Sequence, residues 1–79
     1  MSEPQSFRDV IELWPQTAEL ARDLSEPYET VNQWKKRDSV PAWAHSALIR
    51  AAAARGFGQV TPELLDELAA ARREKQGAA

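Results

Sequence analysis

Apolar residues recur along the chain at the spacing of short amphipathic helices. The first such set stands at i, i+3, i+4 and i+7 and so shares one helix face: Phe7, Val10, Ile11 and Trp14. Ser6 is a favourable N-cap for this helix, with Asp9 completing a capping box three residues later. Pro15 ends the helix, because the residue before a proline disfavours helical dihedrals. The pattern predicts a first helix of about two turns.

Two further short helices are predicted in the middle of the chain. The second begins near Gln16 or Thr17 and runs to Leu24, where Ser25-Glu26-Pro27 interrupts the pattern. The third covers residues 27–37, because a proline in the first helical position loses no hydrogen bond. The predicted inner positions of the two helices are Leu20, Ala21, Leu24, Val31 and Trp34.

The last two predicted helices follow a second proline and a pair of glycines. A fourth helix covers residues 41–55, since its run of alanines is the strongest local helix signal in the chain. Gly56 suits the C′ position that ends it. Thr61 is the predicted N-cap of a fifth helix, with Pro62 in its first position. Its apolar stripe consists of Leu64, Leu65, Leu68 and Ala71.

These elements predict an all-α fold of four to five short helices and no strand. We expect a flexible tail over residues 1–5 and a folded helical domain over 6–58. An additional C-terminal helix over 59–75 is expected to cover the core or to form a dimer, and residues 76–79 are expected to fray. Trp14 and Trp43 are expected in or near the core, and His45 needs no functional role.

Length and composition restrict the functional classes. A chain of 79 residues builds only a small core. It has no Cys and one His, which excludes disulfides and argues against a His- or Cys-based metal site. No apolar run approaches the roughly 20 residues of a membrane span, and the polar N-terminus does not resemble a secretion signal. We therefore expect a small cytoplasmic binding protein without a cofactor, a small-molecule substrate or enzymatic activity.

The second and third helices have the spacing of a helix-turn-helix. Ala21 is small enough for a close helix crossing, and Ser25 lies at the turn four residues later. Val31 and Trp34 follow as the inward anchors of the second member of the pair. A tight turn between two helices that cross steeply is the arrangement by which such proteins present a recognition helix to DNA. We therefore expect residues 6–58 to form a helix-turn-helix DNA-binding domain.

Two segments of the chain resemble the Cro-type, lambda-repressor-like helix-turn-helix family of small phage and prophage regulators. Residues 17–24 (TAELARDL) are similar to the first helix of the motif, and residues 30–43 (TVNQWKKRDSVPAW) to its recognition helix and the Val-Pro that follows. The chain departs from the family at Ser25, where glycine is usual, and at Glu26, where an apolar residue is usual. The resemblance implies a nucleoid-associated, DNA-binding repressor of a phage, prophage or phage-derived control circuit.

A helical wheel gives the third helix a polar face opposite Val31, on which Glu29, Asn32, Gln33 and Lys36 lie. Asn and Gln can bond bidentately to adenine, Lys can bond to guanine or phosphate, and Glu can accept from cytosine. Further DNA-contact candidates are Tyr28 at the edge of this face, Arg37 in the basic run 35–37, and Thr17, whose neighbouring backbone amides could meet a phosphate. The alternatives are solvated polar residues on the third helix, simple capping by Thr17 and favourable charge at a helix C-terminus.

The charge distribution predicts modest affinity for DNA and dependence on a dimer. Residues 34–55 hold five bases and one acid, whereas residues 1–33 hold seven acids and two bases. Because phosphate neutralisation supplies much of DNA affinity, we expect a homodimer, or a heterodimer with a related regulator, on an operator with two half-sites. The candidate dimer interface is the C-terminal stripe with Phe57, namely Phe57, Leu64, Leu65 and Leu68; the alternative is that this stripe packs on the chain's own core.

A second functional hypothesis is a protein–protein module. The acidic first third and the leucine stripe are compatible with an antitoxin-like or antirepressor partner that uses the same scaffold to bind another regulator. An enzyme is the least favoured class, because nothing pairs the acids Asp9, Glu12, Asp66 and Glu67 with a nucleophile or a phosphate-binding loop.

Overall fold

The computed structural model describes residues 4–77, with side chains through residue 72. It contains five α-helices, a 3-10 turn at Ala42–Ala44, and no strand among the described residues. The prediction of an all-α fold is confirmed. The helices are α1 (Phe7–Ile11), α2 (Thr17–Leu24), α3 (Tyr28–Arg37), α4 (His45–Ala54) and α5 (Pro62–Gly77).

Side-chain caps begin two of the helices. The Ser6 hydroxyl accepts a hydrogen bond from the Asp9 amide at 3.1 Å, and the Thr61 hydroxyl accepts one from the Leu64 amide at 3.1 Å. Both caps agree with the sequence prediction. The Asp9 carboxylate, however, accepts from the backbone N–H of Gln5 at 3.0 Å, so the capping box closes one residue earlier than predicted.

Three successive helices end in the same left-handed motif. Ser25, Asp38 and Gly56 have φ values of +58°, +56° and +81°. The following amide in each case returns to a carbonyl five residues back: Glu26 to Ala21 at 2.9 Å, Ser39 to Trp34 at 3.0 Å, and Phe57 to Ala52 at 2.8 Å. This is the Schellman geometry, which satisfies carbonyls that the helix leaves unpaired.

Pro27 and Pro41 each lie one position before a helix rather than in its first position, whereas Pro62 is the first residue of α5, as the sequence predicts. Pro27 is the N-cap of α3, with ψ of 143°, and Pro41 precedes the 3-10 turn in the same extended conformation. The fourth helix therefore begins as a 3-10 turn and becomes α-helical only at His45, not at Pro41 as predicted. Similarly, α1 ends at Ile11, although Trp14 still lies on the buried side, 2% exposed.

The core draws apolar side chains from every helix and from the connections between them. All of its buried members are apolar, and no polar or charged residue among those described is buried. It consists of Phe7, Val10, Ile11, Trp14, Leu20, Ala21, Val31, Trp34, Val40, Ala44, Leu48, Ala51, Ala52, Val60, Leu65 and Leu68.

The C-terminal stripe packs on the chain's own core, which corrects the predicted dimer interface. Leu65 is fully buried and Leu68 is 8% exposed, so neither offers a surface to another chain. Leu64 and Phe57 are half-buried against the same cluster. The Phe57 ring meets Trp14 edge-on, with 5.0 Å between ring centroids. The apolar stripe of α5 packs within the domain because the four preceding helices leave this side of the core uncovered.

Three further expectations need correction. Trp43 is exposed to 67% instead of lying in the core, because the 3-10 turn carries it to the outside of Trp34. Residues 4 and 5 of the predicted tail are tied to the domain, since Pro4 is buried and Gln5 bonds to Asp9. Helix α5 continues through Gly77, past the predicted start of fraying, and residues 1–3 and 78–79 lie outside the described residues.

Candidate nucleic-acid interface

Helices α2 and α3 pack against each other through their apolar faces. Leu20 is fully buried and Ala21 is 3% exposed on α2, while Val31 is fully buried and Trp34 is 8% exposed on α3. The methyl group of Ala21 occupies little space, so the two helices approach closely. The structure thus contains the helix pair and the inward anchors that the sequence predicted.

Ser25 makes the turn between the two helices. Its φ of +58° and ψ of +39° are left-handed values, which glycine adopts without strain and other residues adopt at a cost. This is the position at which the resemblance led us to expect glycine. Ser25 therefore adopts the left-handed conformation that glycine would adopt here. The chain still makes the tight turn that a helix-turn-helix needs.

The outer face of α3 presents a continuous polar surface. Glu29, Gln33 and Lys36 are exposed, Asn32 is half-buried, and Tyr28 is 52% exposed. These five side chains line one shallow, open depression. Because Val31 and Trp34 bury the opposite side of the same helix, the depression is aimed away from the core, as the helical wheel predicted.

The remaining two predicted contact residues lie beside this surface. Arg37 is exposed in the last turn of α3 but does not line the depression. Thr17 is half-buried and is the first residue of α2, not its N-cap. The N-cap is Gln16, whose side chain makes no capping bond. The first-turn amides of α2 are therefore not occupied by a capping side chain, which corrects the simple capping interpretation of Thr17.

The C-terminal end of α3 is held in place by α1. The Arg8 guanidinium donates to the carbonyl oxygens of Lys35 at 3.2 Å and Lys36 at 3.4 Å. In return, the Asp38 carboxylate accepts from the Arg8 amide at 2.9 Å. A cation at a helix C-terminus and an anion at a helix N-terminus both complement the helix dipole. Helix α3, which bears the exposed polar face, is thus held at its C-terminal end as well as along its buried side.

A second polar network lies away from α3. Asp23 accepts hydrogen bonds from the Trp14 indole at 2.9 Å and from Arg55 Nε at 2.6 Å. Arg55 also donates to Glu19 at 3.0 Å. The hydrogen bonds from Arg55 and Trp14 lower the pKa of Asp23, and the same bond to Asp23 raises the pKa of Arg55. The network joins α2 to the end of α4.

Of the five basic residues within residues 34–55, some form ion pairs with acidic residues and the others do not. Arg55 is committed to Asp23 and Glu19, and Lys35 lies 3.9 Å from Glu12. Within the described residues, no ion pair is formed by the remaining three, Lys36, Arg37 and Arg50. The positive charge that α3 itself presents outward is therefore that of Lys36 and Arg37, with the Glu29 carboxylate beside it.

Sequence reasoning missed the residues that fix α3 and the exposure of Trp43. Arg8 and Asp38 are 30 residues apart, and no local pattern pairs them. The only local signal was the acidic residue after the basic run, which the left-handed end of α3 turns back toward α1. Trp43 was missed because a tryptophan within an alanine-rich helix usually indicates burial.

Comparison of the chain with protein-family models, with curated proteins and with solved structures finds no match. Among the described residues, no helix has the length and apolar character to cross a bilayer. The same residues contain no group of three or more His, Asp or Glu side chains that could hold a metal ion.

Proposed function

We propose that this chain is a sequence-specific DNA-binding transcription regulator, a Cro-like repressor that places α3 in the major groove of an operator. The observation that carries the proposal is the division of α3 into two faces. Val31 and Trp34 are buried, while Glu29, Gln33 and Lys36 are exposed on the other side. A helix supported in this way by a preceding helix is the form in which helix-turn-helix proteins read base edges.

The chemistry of the outer face fits base recognition. Gln33 and Asn32 can each make two hydrogen bonds to adenine, and Lys36 can donate to guanine or to a phosphate. Glu29 can accept from the cytosine amino group, and it repels phosphate, which favours discrimination over affinity. Tyr28 lies at the edge of the face, where a phenol can reach a phosphate oxygen or a thymine methyl group.

Phosphate contacts would come from both helices of the motif. Arg37 follows the outer face at the end of α3, and Thr17 stands at the start of α2, where uncapped amides suit an anion. Two cations on α3 neutralise few phosphates, so binding to unrelated DNA is expected to be weak. A dimer on two half-sites compensates for this, and repression follows when the occupied operator excludes polymerase from a phage, prophage or phage-derived promoter in the cytoplasm.

A second candidate function is a protein–protein module that acts on a partner regulator, as an antitoxin or antirepressor does. The specific observation in its favour is that Arg55 and Lys35 are paired with acids of the same chain. These pairs reduce the positive charge available for DNA. A heterodimer with a more basic partner would supply it.

Gel-shift titration with the DNA upstream of the chain's own gene tests the proposal. Binding at low salt should survive excess unrelated duplex and should weaken steeply as salt is raised. Binding that is indifferent to sequence, or no binding at low salt, would refute DNA recognition by this chain alone. Binding that appears only with a neighbouring gene product would favour the partner hypothesis.

A further inference from the structure

Trp43 is the most exposed large apolar side chain among the described residues, with 67% of its surface accessible. Its ring stands edge-on against Trp34, with 5.7 Å between centroids and an interplanar angle of 74°. The indole therefore packs against the core on one side and leaves most of its surface in water. Tryptophan is strongly enriched among the residues that dominate protein–protein binding energy.

Trp43 lies in the 3-10 turn that leads into α4, and Arg50 lies on α4 and is exposed. The chain turns by about 120° per residue in the 3-10 turn and by about 100° per residue in α4, so seven steps make about two full turns and bring the two positions to the same side of this segment. Between them, Ser46 is exposed and Ala47 is half-buried. Arg50 is the single Asp, Glu, Lys or Arg residue of the segment 42–54. We refer to Trp43, Ser46, Ala47 and Arg50 as the α4 surface.

We propose that two copies of this chain associate through the α4 surface about a two-fold axis, with Trp43 of each copy on Arg50 of the other. When the two α4 helices run antiparallel and the axis passes between Ser46 and Ala47, position 43 of one copy faces position 50 of the other. A guanidinium over an indole face is a favourable cation–π pair. The symmetry forms this pair twice.

The pattern of the α4 surface favours a second copy over other occupants. A two-fold interface must be complementary to itself, and here an aromatic face and a cation stand at equal distances on either side of the midpoint. The small side chains at the midpoint let the helix axes approach to the lower end of the usual 8–10 Å range. One arginine is too little charge for an acidic partner or for DNA to be the main occupant.

This contact deepens the proposed function and rests on it for its biological role. It supplies the dimer that an operator with two half-sites requires. The predicted interface residues Leu65 and Leu68 are not available for this role because they are buried in the core. The surface is small, so we expect a weak dimer with a dissociation constant between about 10 μM and about 1 mM. DNA carrying two half-sites would bring the copies together at lower concentrations.

Sedimentation equilibrium of the full chain without DNA, from 10 μM to 2 mM, tests the contact. The wild type should show a monomer–dimer equilibrium, and Trp43→Ala and Arg50→Glu should each weaken it at least tenfold. Arg50→Glu keeps the test decisive if loss of Trp43 disturbs Trp34, since Arg50 is exposed. Arg50→Lys, which keeps the cation, should retain most of the dimer. Arg22→Glu is the matched control, an exposed arginine on α2 with the same charge change, and should dimerise as the wild type does.

Two results would overturn the contact. The first is a wild type that remains monomeric at 2 mM. The second is a dimer that Trp43→Ala and Arg50→Glu leave unchanged. Because no DNA is present in the sedimentation experiment, a monomer that still binds an operator contradicts this contact alone, and a dimer that binds no DNA contradicts the proposed function alone.

Discussion

Arg8 and Asp38 join the first turn of α1 to the last turn of α3 by hydrogen bonds in both directions. The Asp38 carboxylate accepts from the Arg8 amide at 2.9 Å, and the Arg8 side chain donates to the carbonyls of Lys35 and Lys36 that end α3. The Asp38 carboxylate lies at the positive, N-terminal end of α1, and the Arg8 guanidinium lies at the negative, C-terminal end of α3. The consequence is that the polar face of α3 is presented by a helix whose far end is anchored to the domain.

Replacing Arg8 by Ala should lower the free energy of unfolding by about 1 kcal/mol. The substitution removes two charge-assisted hydrogen bonds and a favourable charge at the end of α3, each modest at an exposed site. Urea denaturation measures the effect. Arg22→Ala is the matched control, since Arg22 is exposed and makes no side-chain hydrogen bond within the described residues, and it should change stability by less than about 0.5 kcal/mol. Equal effects of the two variants would contradict the anchoring role of Arg8.

Ser25→Gly should stabilise the protein by about 0.5–1 kcal/mol. A left-handed conformation costs a residue with a Cβ atom about 1–2 kcal/mol, and the gain is partly offset by the additional backbone entropy of glycine in the unfolded chain. Asp38→Gly relieves a smaller strain, because aspartate tolerates the left-handed region better than serine, and it loses the bond from the Arg8 amide, so it should not stabilise the protein. A chemical denaturation series on both variants checks the pair, and a destabilised Ser25→Gly would show that the serine side chain contributes more than its strain costs.

Asp23 should make the protein sensitive to acid. Because hydrogen bonds from Arg55 and Trp14 lower the pKa of this carboxyl in the folded state, its stabilisation is fully present above the unfolded pKa of about 4. It is lost as the pH falls through the lower, folded-state pKa. The melting temperature of the wild type should therefore fall more steeply between pH 5 and pH 2 than that of Asp23→Asn. Asp66→Asn, an exposed change on α5, should follow the wild type.

Gln33 and Lys36 should affect DNA binding in different ways. Gln33→Ala should cost about 1–3 kcal/mol on the preferred sequence and little on unrelated DNA, because base contacts carry specificity. Lys36→Ala, if the amine contacts a phosphate, should weaken binding to all sequences and reduce the salt slope by about 1. Fluorescence anisotropy on specific and scrambled duplexes over a salt series separates the two effects. Gln59→Ala, an exposed glutamine between α4 and α5, should bind as the wild type does.

Local sequence patterns were sufficient to predict the helices and the orientation of α3. Apolar spacing placed Val31 and Trp34 inward, and side-chain caps at Ser6 and Thr61 were recognisable because capping depends on three or four consecutive residues. The left-handed end of α4 at Gly56 was predictable for the same reason. These features need no knowledge of how distant parts of the chain meet.

The features that sequence did not predict depend on contacts between distant segments. Ser25 and Asp38 adopt left-handed conformations, which aspartate tolerates better than serine. Backbone hydrogen bonds at the ends of α2 and α3 accompany both, and Asp38 also accepts a hydrogen bond from the distant Arg8 amide. The apolar stripe of α5 has the same pattern whether it covers a core or a dimer, so only the folded chain distinguishes the two. Trp43 is exposed because a 3-10 turn, rather than a continuous helix, begins the fourth segment.

Selection of bound duplexes from a randomised DNA library, with the wild type and Gln33→Ala in parallel, tests base recognition by the outer face of α3 most directly. We predict that the wild type enriches two half-sites about 10 base pairs apart. Gln33→Ala should lose its preference at one position in each half-site and keep the rest. A wild type that enriches no sequence, or a Gln33→Ala variant with an unchanged preference at every position, would contradict the account.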